Sequence, residues 1–139
     1  MMKIDWTSAA YSGTRQWLLN LGQKTTGANH WLWNGGSSIQ FGKWNGQQIG
    51  SYDISSCNYL ATTYDSSSSE YVLYCDGVEV AQRTISGGLN IQNDNVRIGD
   101  KALSESDFSG CVERVLIYRE ALTQQGVLCA MAQINSGPA

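Results

Sequence analysis

The sequence predicts an all-β sandwich with one short C-terminal helix, and three observations carry that prediction. Apolar residues recur at every second position in several short runs, the signature of strands with one face turned inward. Asn-Gly and Asp-Gly dipeptides stand between those runs, where a two-residue hairpin needs positive φ angles. Only near the C-terminus does the spacing change to that of a helix. Composition agrees: 42% of the 139 residues are hydrophobic but only 15% are charged, with 15 Gly and a single Pro. Globular chains average about a quarter charged, and Ser, Thr, Asn and Gln fill the deficit here. The length suits one domain with a genuine core, taken as residues 1–139.

The elements follow in order. In RQWLLNL, Trp17, Leu19 and Leu21 alternate with Gln16, Leu18 and Asn20, which predicts a half-buried strand. The stretch ANHWLWNGGSSIQFGKWNGQQIG carries two hairpin dipeptides, Asn34-Gly35 and Asn45-Gly46, with Ile39 and Phe41 on one face between them. Two or three antiparallel strands follow from it. CNYLATTY (57–64) and EYVLYC (70–75) read as strands, and the polar DSSSS between them is short enough for a hairpin loop. Asp76-Gly77 then joins EYVLYC to VEVAQ, the strongest hairpin signal in the chain. Shorter and longer strands are expected at Val96–Ile98 and 110–118. Thr123 offers an N-cap for a helix with Val127, Leu128, Met131 and Ile134 on one face, ended by Gly137 and Pro138.

Several function classes are excluded. The net charge is −3 and Lys and Arg never cluster, so the footprint of a phosphate backbone is missing and nucleic acid is not an expected partner. No apolar run approaches the roughly 18 residues of a membrane span, and MMKIDWTSAAYSG lacks the apolar stretch of a secretory signal. Cys57, Cys75, Cys111 and Cys129 form no C-x-x-C pair, so zinc-site spacing is absent. They permit three disulfide connectivities. Three of them sit in or beside apolar runs, where the simplest expectation is buried thiols packing as small hydrophobes.

Four pieces between Leu60 and Thr123 match a family pattern in order: LATTYD (60–65), LYCDG (73–77), RIGD (97–100) and DFSGCVERVLIYREALT (107–123). In these the chain resembles the concanavalin A-like, laminin-G-type jelly rolls. The resemblance implies a jelly-roll β-sandwich, with Phe108, Val112, Val115 and Ile117 supplying the core. It departs from the family at Cys57, where Trp is common, and at Glu113, where Asp is common. The family's strands upstream of KIDW have no counterpart in the chain, so an edge left open for a partner chain, another copy or the C-terminal tail is expected.

The candidate ligand site is the Trp-rich stretch. Trp31 and Trp33 share one strand face, and Trp44 follows the next turn. Flat aromatic rings stack on the apolar faces of sugars, and the amides of Asn34, Asn45 and Gln47 suit hydroxyl groups. The competing expectation is that at least two of these Trp belong to the core. His30, the single His, reads as a hydrogen-bonding residue at the margin of that site rather than a base. A glycosidase needs two carboxylates at fixed separation, and the one Glu-x-Asp, Glu105-Ser106-Asp107, reads as a loop without a third acid. There is no G-x-S-x-G. Asp65, Asp76, Asn93, Asp94 and Asp100 are oxygen donors of the kind calcium takes, as laminin-G-like loops often do. Their spacing fits no defined calcium loop, so turn formation is expected of them and no cofactor is required.

The expectation is therefore a non-catalytic binding module, recognising a glycan or serving in adhesion outside the cell or on a particle surface. The alternative is a coat, fibre or matrix subunit whose sandwich contacts other protein chains, as a homo-oligomer or a larger assembly.

Overall fold

The structure is a computed structural model that describes residues 1–5, 16–22, 29–34, 38–43, 47–53, 57–85, 87–91, 96–99, 106–108 and 110–137. Eleven strands are present among them: β1 (Met2–Asp5), β2 (Gln16–Gly22), β3 (Asn29–Asn34), β4 (Ser38–Lys43), β5 (Gln47–Asp53), β6 (Tyr59–Asp65), β7 (Glu70–Cys75), β8 (Val78–Thr84), β9 (Val96–Ile98), β10 (Ser106–Asp107) and β11 (Cys111–Val115). One helix, α1 (Gln124–Asn135), follows them. The strands form two sheets, one ordered β11-β1-β6-β7-β8 and the other β10-β2-β3-β4-β5, with β9 also on the free edge of β2.

Alternation turns the apolar residues of both sheets toward each other. Met2, Ile4, Leu60, Tyr71 and Leu73 from the first sheet meet Leu18, Leu19, Leu32, Ile39 and Phe41 from the second in a single core. Phe108, Val112 and Val115 pack against it as expected, whereas Ile117 is 55% exposed, because β11 ends at Val115 and the chain leaves the sheet. The second apolar layer explains why β7 is buried at every position from Tyr71 to Cys75. Ala61, Val72 and Tyr74 face outward and are covered by Val127 of α1, with Leu122 beside them.

The helix begins where the sequence places it: Thr123 Oγ1 accepts the Gly126 N–H at 3.3 Å. Its buried stripe is Val127, Ala130 and Ile134 rather than the expected face. Leu128 is half-exposed and lies over the β7–β8 turn instead, close enough that a Cβ on Gly77 would stand 2.4 Å from its Cδ2. The turn itself is the two-residue hairpin expected, with φ of 48° at Asp76 and 81° at Gly77, the type I′ pattern. At the far end Arg114 Nη1 donates to the carbonyls of Ile134 (2.9 Å) and Gln133 (3.4 Å), satisfying helix-terminal acceptors. The Tyr59 hydroxyl donates to Asn135 Oδ1.

The other two hairpins depart from expectation. Asn34 pairs with Ile39 and Lys43 with Gln47, so more than two residues separate the strands at each Asn-Gly. Ser106–Asp107, read as loop, pairs in parallel with Gln16 and Trp17. The N-terminal segment is itself a strand between β6 and β11, pairing Met2 with Leu60 and with Val115. Met2 and Ile4 enter the core from this strand. Cys57 and Cys75 are not thiols: they form a disulfide that ties the segment just before β6 to the end of β7, with Cα atoms 5.5 Å apart. Proximity imposed by the Leu60–Cys75 register overrides their character as small hydrophobes. Cys111 and Cys129 are free and exposed.

Candidate functional site

Strand β3 carries His30, Trp31, Trp33 and Asn34 of the predicted site. The register pairs Leu32 with Leu19 and Phe41, and His30 with Leu21 and Lys43. His30 and Leu32 are both buried. Trp33 stands between Trp17 and Gln40, and Trp31 between Asn20 and Gly42. A β-bulge at Leu18 lets Leu18 and Leu19 both enter the core while Trp17 stays in line with Trp33. Trp17 is 0% exposed and Asn20 is buried, so the face of β2 that carries them is covered. The side chains of Trp31, Trp33, Asn34 and Gln47 lie outside the described residues, as do Trp44 and Asn45 altogether.

His30 is buried between the sheets, its Nε2 hydrogen-bonded to Thr62 Oγ1 at 2.8 Å and its Nδ1 to the Tyr71 hydroxyl at 3.2 Å. Its ring stacks on Tyr71 with centroids 5.3 Å apart, and Tyr71 in turn contacts Tyr64 and Phe41. Burial lowers the His30 pKa to about 4 and pushes the Tyr71 phenol far up, because a charged ring there would lose its hydration. At pH 7 both are neutral, and they join β3 to β6 and β7. Lys43, opposite His30, is also buried, and its ammonium donates to the Gly88 carbonyl at 2.9 Å.

Beside His30 lies a cleft that the sequence did not disclose. Two adjoining cavities of about 100 Å³ and 190 Å³ share Leu21, His30, Thr62, Thr63, Tyr118 and Glu120. The smaller reaches Ala61, Leu122 and Val127 beneath α1, and the larger reaches Tyr64, Leu89 and Arg119. Its far wall is the segment after β11, residues 116–120, where the strand expected to run on to 118 has already ended at Val115.

The loop acids that are described act in turns. Asp65 Oδ1 accepts the N–H and hydroxyl of Ser67, which holds its carboxyl below the usual range. Asp76 Oδ1 accepts the N–H groups of Asn58 and Tyr59 at 3.0 and 2.8 Å. Asp76 also lies within 4.8 Å of the Cys57 and Cys75 sulfurs, but a disulfide leaves no thiolate for a metal. Asn93, Asp94, Asp100 and Glu105 lie outside the described residues. No helix of the described residues is long and apolar enough to cross a membrane.

Two solved structures share this fold. One is the carbohydrate-binding module CBM40 of Ruminococcus gnavus IT-sialidase bound to alpha2,3 sialyllactose, at TM-score 0.67 and 19% identity over 93% of this chain and 79% of that one. The other is the same module, at TM-score 0.64 and 20% identity over 88% and 77% of the two chains. Among curated proteins none matches the chain. The family profile of the concanavalin A-like lectin/glucanases superfamily matches residues 4–128, nearly the whole of both sheets, and the chain belongs to that superfamily.

Proposed function

We propose that the chain is a non-catalytic glycan-binding module whose ligand rests on the outer face of β3 and β4. The observation that carries this reading is the register that sets Trp31 and Trp33 two positions apart on one face, beside Gln40 and Gly42. Indole faces stack on the apolar faces of sugar rings, which is what this reading requires of Trp31 and Trp33. Trp44, Asn45 and Gln47 follow β4 in the sequence and are included in the proposed site. His30 takes no part in contact and acts from the core. Fold alone does not assign a ligand, but two neighbours of the same architecture are carbohydrate-binding modules. A sialylated lactose is accordingly the first ligand to try.

A glycan array that includes alpha2,3 sialyllactose, read with the wild type and with Trp31→Ala, Trp33→Ala and Trp44→Ala, tests the proposal. Losing one stacked ring should weaken binding about ten-fold, the equivalent of roughly 1.4 kcal/mol. Circular dichroism checks that each variant is folded. An array without a binder, or binding that all three folded variants retain, would overturn the reading.

A further inference from the structure

The corner where β6 begins and β7 ends brings two sulfurs and a carboxylate together. The Cys57 and Cys75 sulfurs and a carboxylate oxygen of Asp76 all lie within 4.8 Å of one another. Both cysteines are buried and Asp76 is half-buried. Hydrogen bonds fix this corner without help from the sulfurs. Asp76 Oδ1 accepts the N–H groups of Asn58 and Tyr59 at 3.0 and 2.8 Å, and the Asp76 N–H donates to the Tyr59 carbonyl at 2.9 Å. On the β1 side the Ile4 N–H donates to the Asn58 carbonyl at 2.9 Å. Cys75 itself pairs with Leu60 and with Val78. Opening the disulfide therefore leaves a dithiol beside a carboxylate.

Such a set is what a thiophilic divalent ion takes. Thiolate and carboxylate both bind zinc, at about 2.3 Å and about 2.0–2.2 Å. Two ligands at those distances on a tetrahedral ion stand about 3.5–3.8 Å apart, inside the span that the three groups already occupy. Two thiolates and one carboxylate carry three negative charges, of which the ion offsets two. The half-buried side at Asp76 admits water as the fourth ligand. The remaining cysteines point to the redox state in which the site would form. Cys111 and Cys129 are free and exposed, and exposed thiols attack disulfides and join other chains in oxidising surroundings. A chain that keeps two of them suits a reducing milieu, where Cys57 and Cys75 are thiols as well.

We propose that Cys57, Cys75 and Asp76 form a redox-gated site for a thiophilic divalent cation of the zinc class. The ion holds the start of β6 to the β7–β8 turn whenever the disulfide is open. Two electrons and two protons from a dithiol convert the disulfide into two thiols, and that dithiol becomes a cyclic disulfide. The ion then binds both sulfurs as thiolates and releases the two protons. The reverse exchange, with a disulfide as oxidant, expels the ion, because a disulfide sulfur has no charge to offer it. The same corner is thus closed in both states, by a covalent bond in one and by an ion in the other.

Cobalt(II) is the probe, added without oxygen to the whole chain carrying Cys111→Ser and Cys129→Ser, so that the remaining pair supplies any sulfur ligand. After reduction with a water-soluble phosphine, one equivalent of cobalt should give a sulfur-to-metal charge-transfer band, and zinc should abolish it. The oxidised protein should give no band, nor should the reduced protein with Cys57→Ser and Cys75→Ser. Asp76→Asn keeps the Oδ1 acceptor and suits the positive φ of the turn, so it should stay folded. It should nevertheless bind cobalt about ten-fold more weakly or worse, as loss of a ligand requires. Urea unfolding of the reduced protein should show a higher midpoint with zinc than without it. No band in the reduced protein, an equal band in the oxidised protein, or undiminished affinity in Asp76→Asn would each overturn the proposal. So would a reduced chain that is unfolded and that zinc does not refold.

Discussion

Replacing His30 by Gln should flatten the dependence of stability on pH. The His30 ring is enclosed between the sheets, and burial takes its pKa from 6.5 to about 4. The unfolded chain binds a proton as the pH falls through 6.5, while the folded chain binds it only near pH 4. Stability from this group is complete above pH 6.5 and is lost progressively down to about pH 4, below which the loss is constant. At about 1.4 kcal/mol per pH unit, the loss is about 2 kcal/mol between pH 7 and pH 5 and approaches about 3 kcal/mol at pH 4. The Met1 amine, lowered to about 6 by burial, moves in the same direction, so the quantity to read is the difference between two proteins. Urea unfolding followed by Trp fluorescence at pH 7, 6 and 5 gives the slope for wild type and for His30→Gln. Gln keeps hydrogen-bonding groups for Thr62 and Tyr71 but cannot take up the proton. Equal slopes in the two proteins would refute the buried, neutral His30 described above, whatever the variant's absolute stability.

Two further perturbations have sizes set by the structure. Gly77→Ala forces a Cβ onto a residue at φ 81° and into Leu128. The left-handed backbone alone costs about 1–2 kcal/mol, and the collision adds to it. Calorimetry should show a melting point lowered by several degrees, and a smaller loss when Gly77→Ala is made in a Leu128→Ala background. An unchanged loss in that background would separate α1 from the turn. Reducing the Cys57–Cys75 disulfide, which closes 18 residues of separation, should lower unfolding free energy by about 3 kcal/mol. The double variant Cys57→Ser/Cys75→Ser should match the reduced protein, whereas Cys111→Ser and Cys129→Ser, at exposed thiols, should leave the urea midpoint in place.

Much of the fold was legible because it rests on local chemistry. Asp76-Gly77 encodes its turn in two residues, Ile39 and Phe41 point inward by simple alternation, and Thr123 starts the helix with its own hydroxyl. What stayed hidden depends on contacts distant in sequence. Nothing near Met2 and Ile4 announces that they will lie between β6 and β11, and a four-residue strand has little periodicity to read. Leu128 has the right spacing for a core residue, yet the turn at Gly77 claims it. The Cys57–Cys75 bridge follows from register. At the candidate site, the spacing of Trp31 and Trp33 states an expectation about a shared face, and their side chains lie outside the described residues. His30 lies in the core, and its bonds to Thr62 and Tyr71 required the second sheet to be in place.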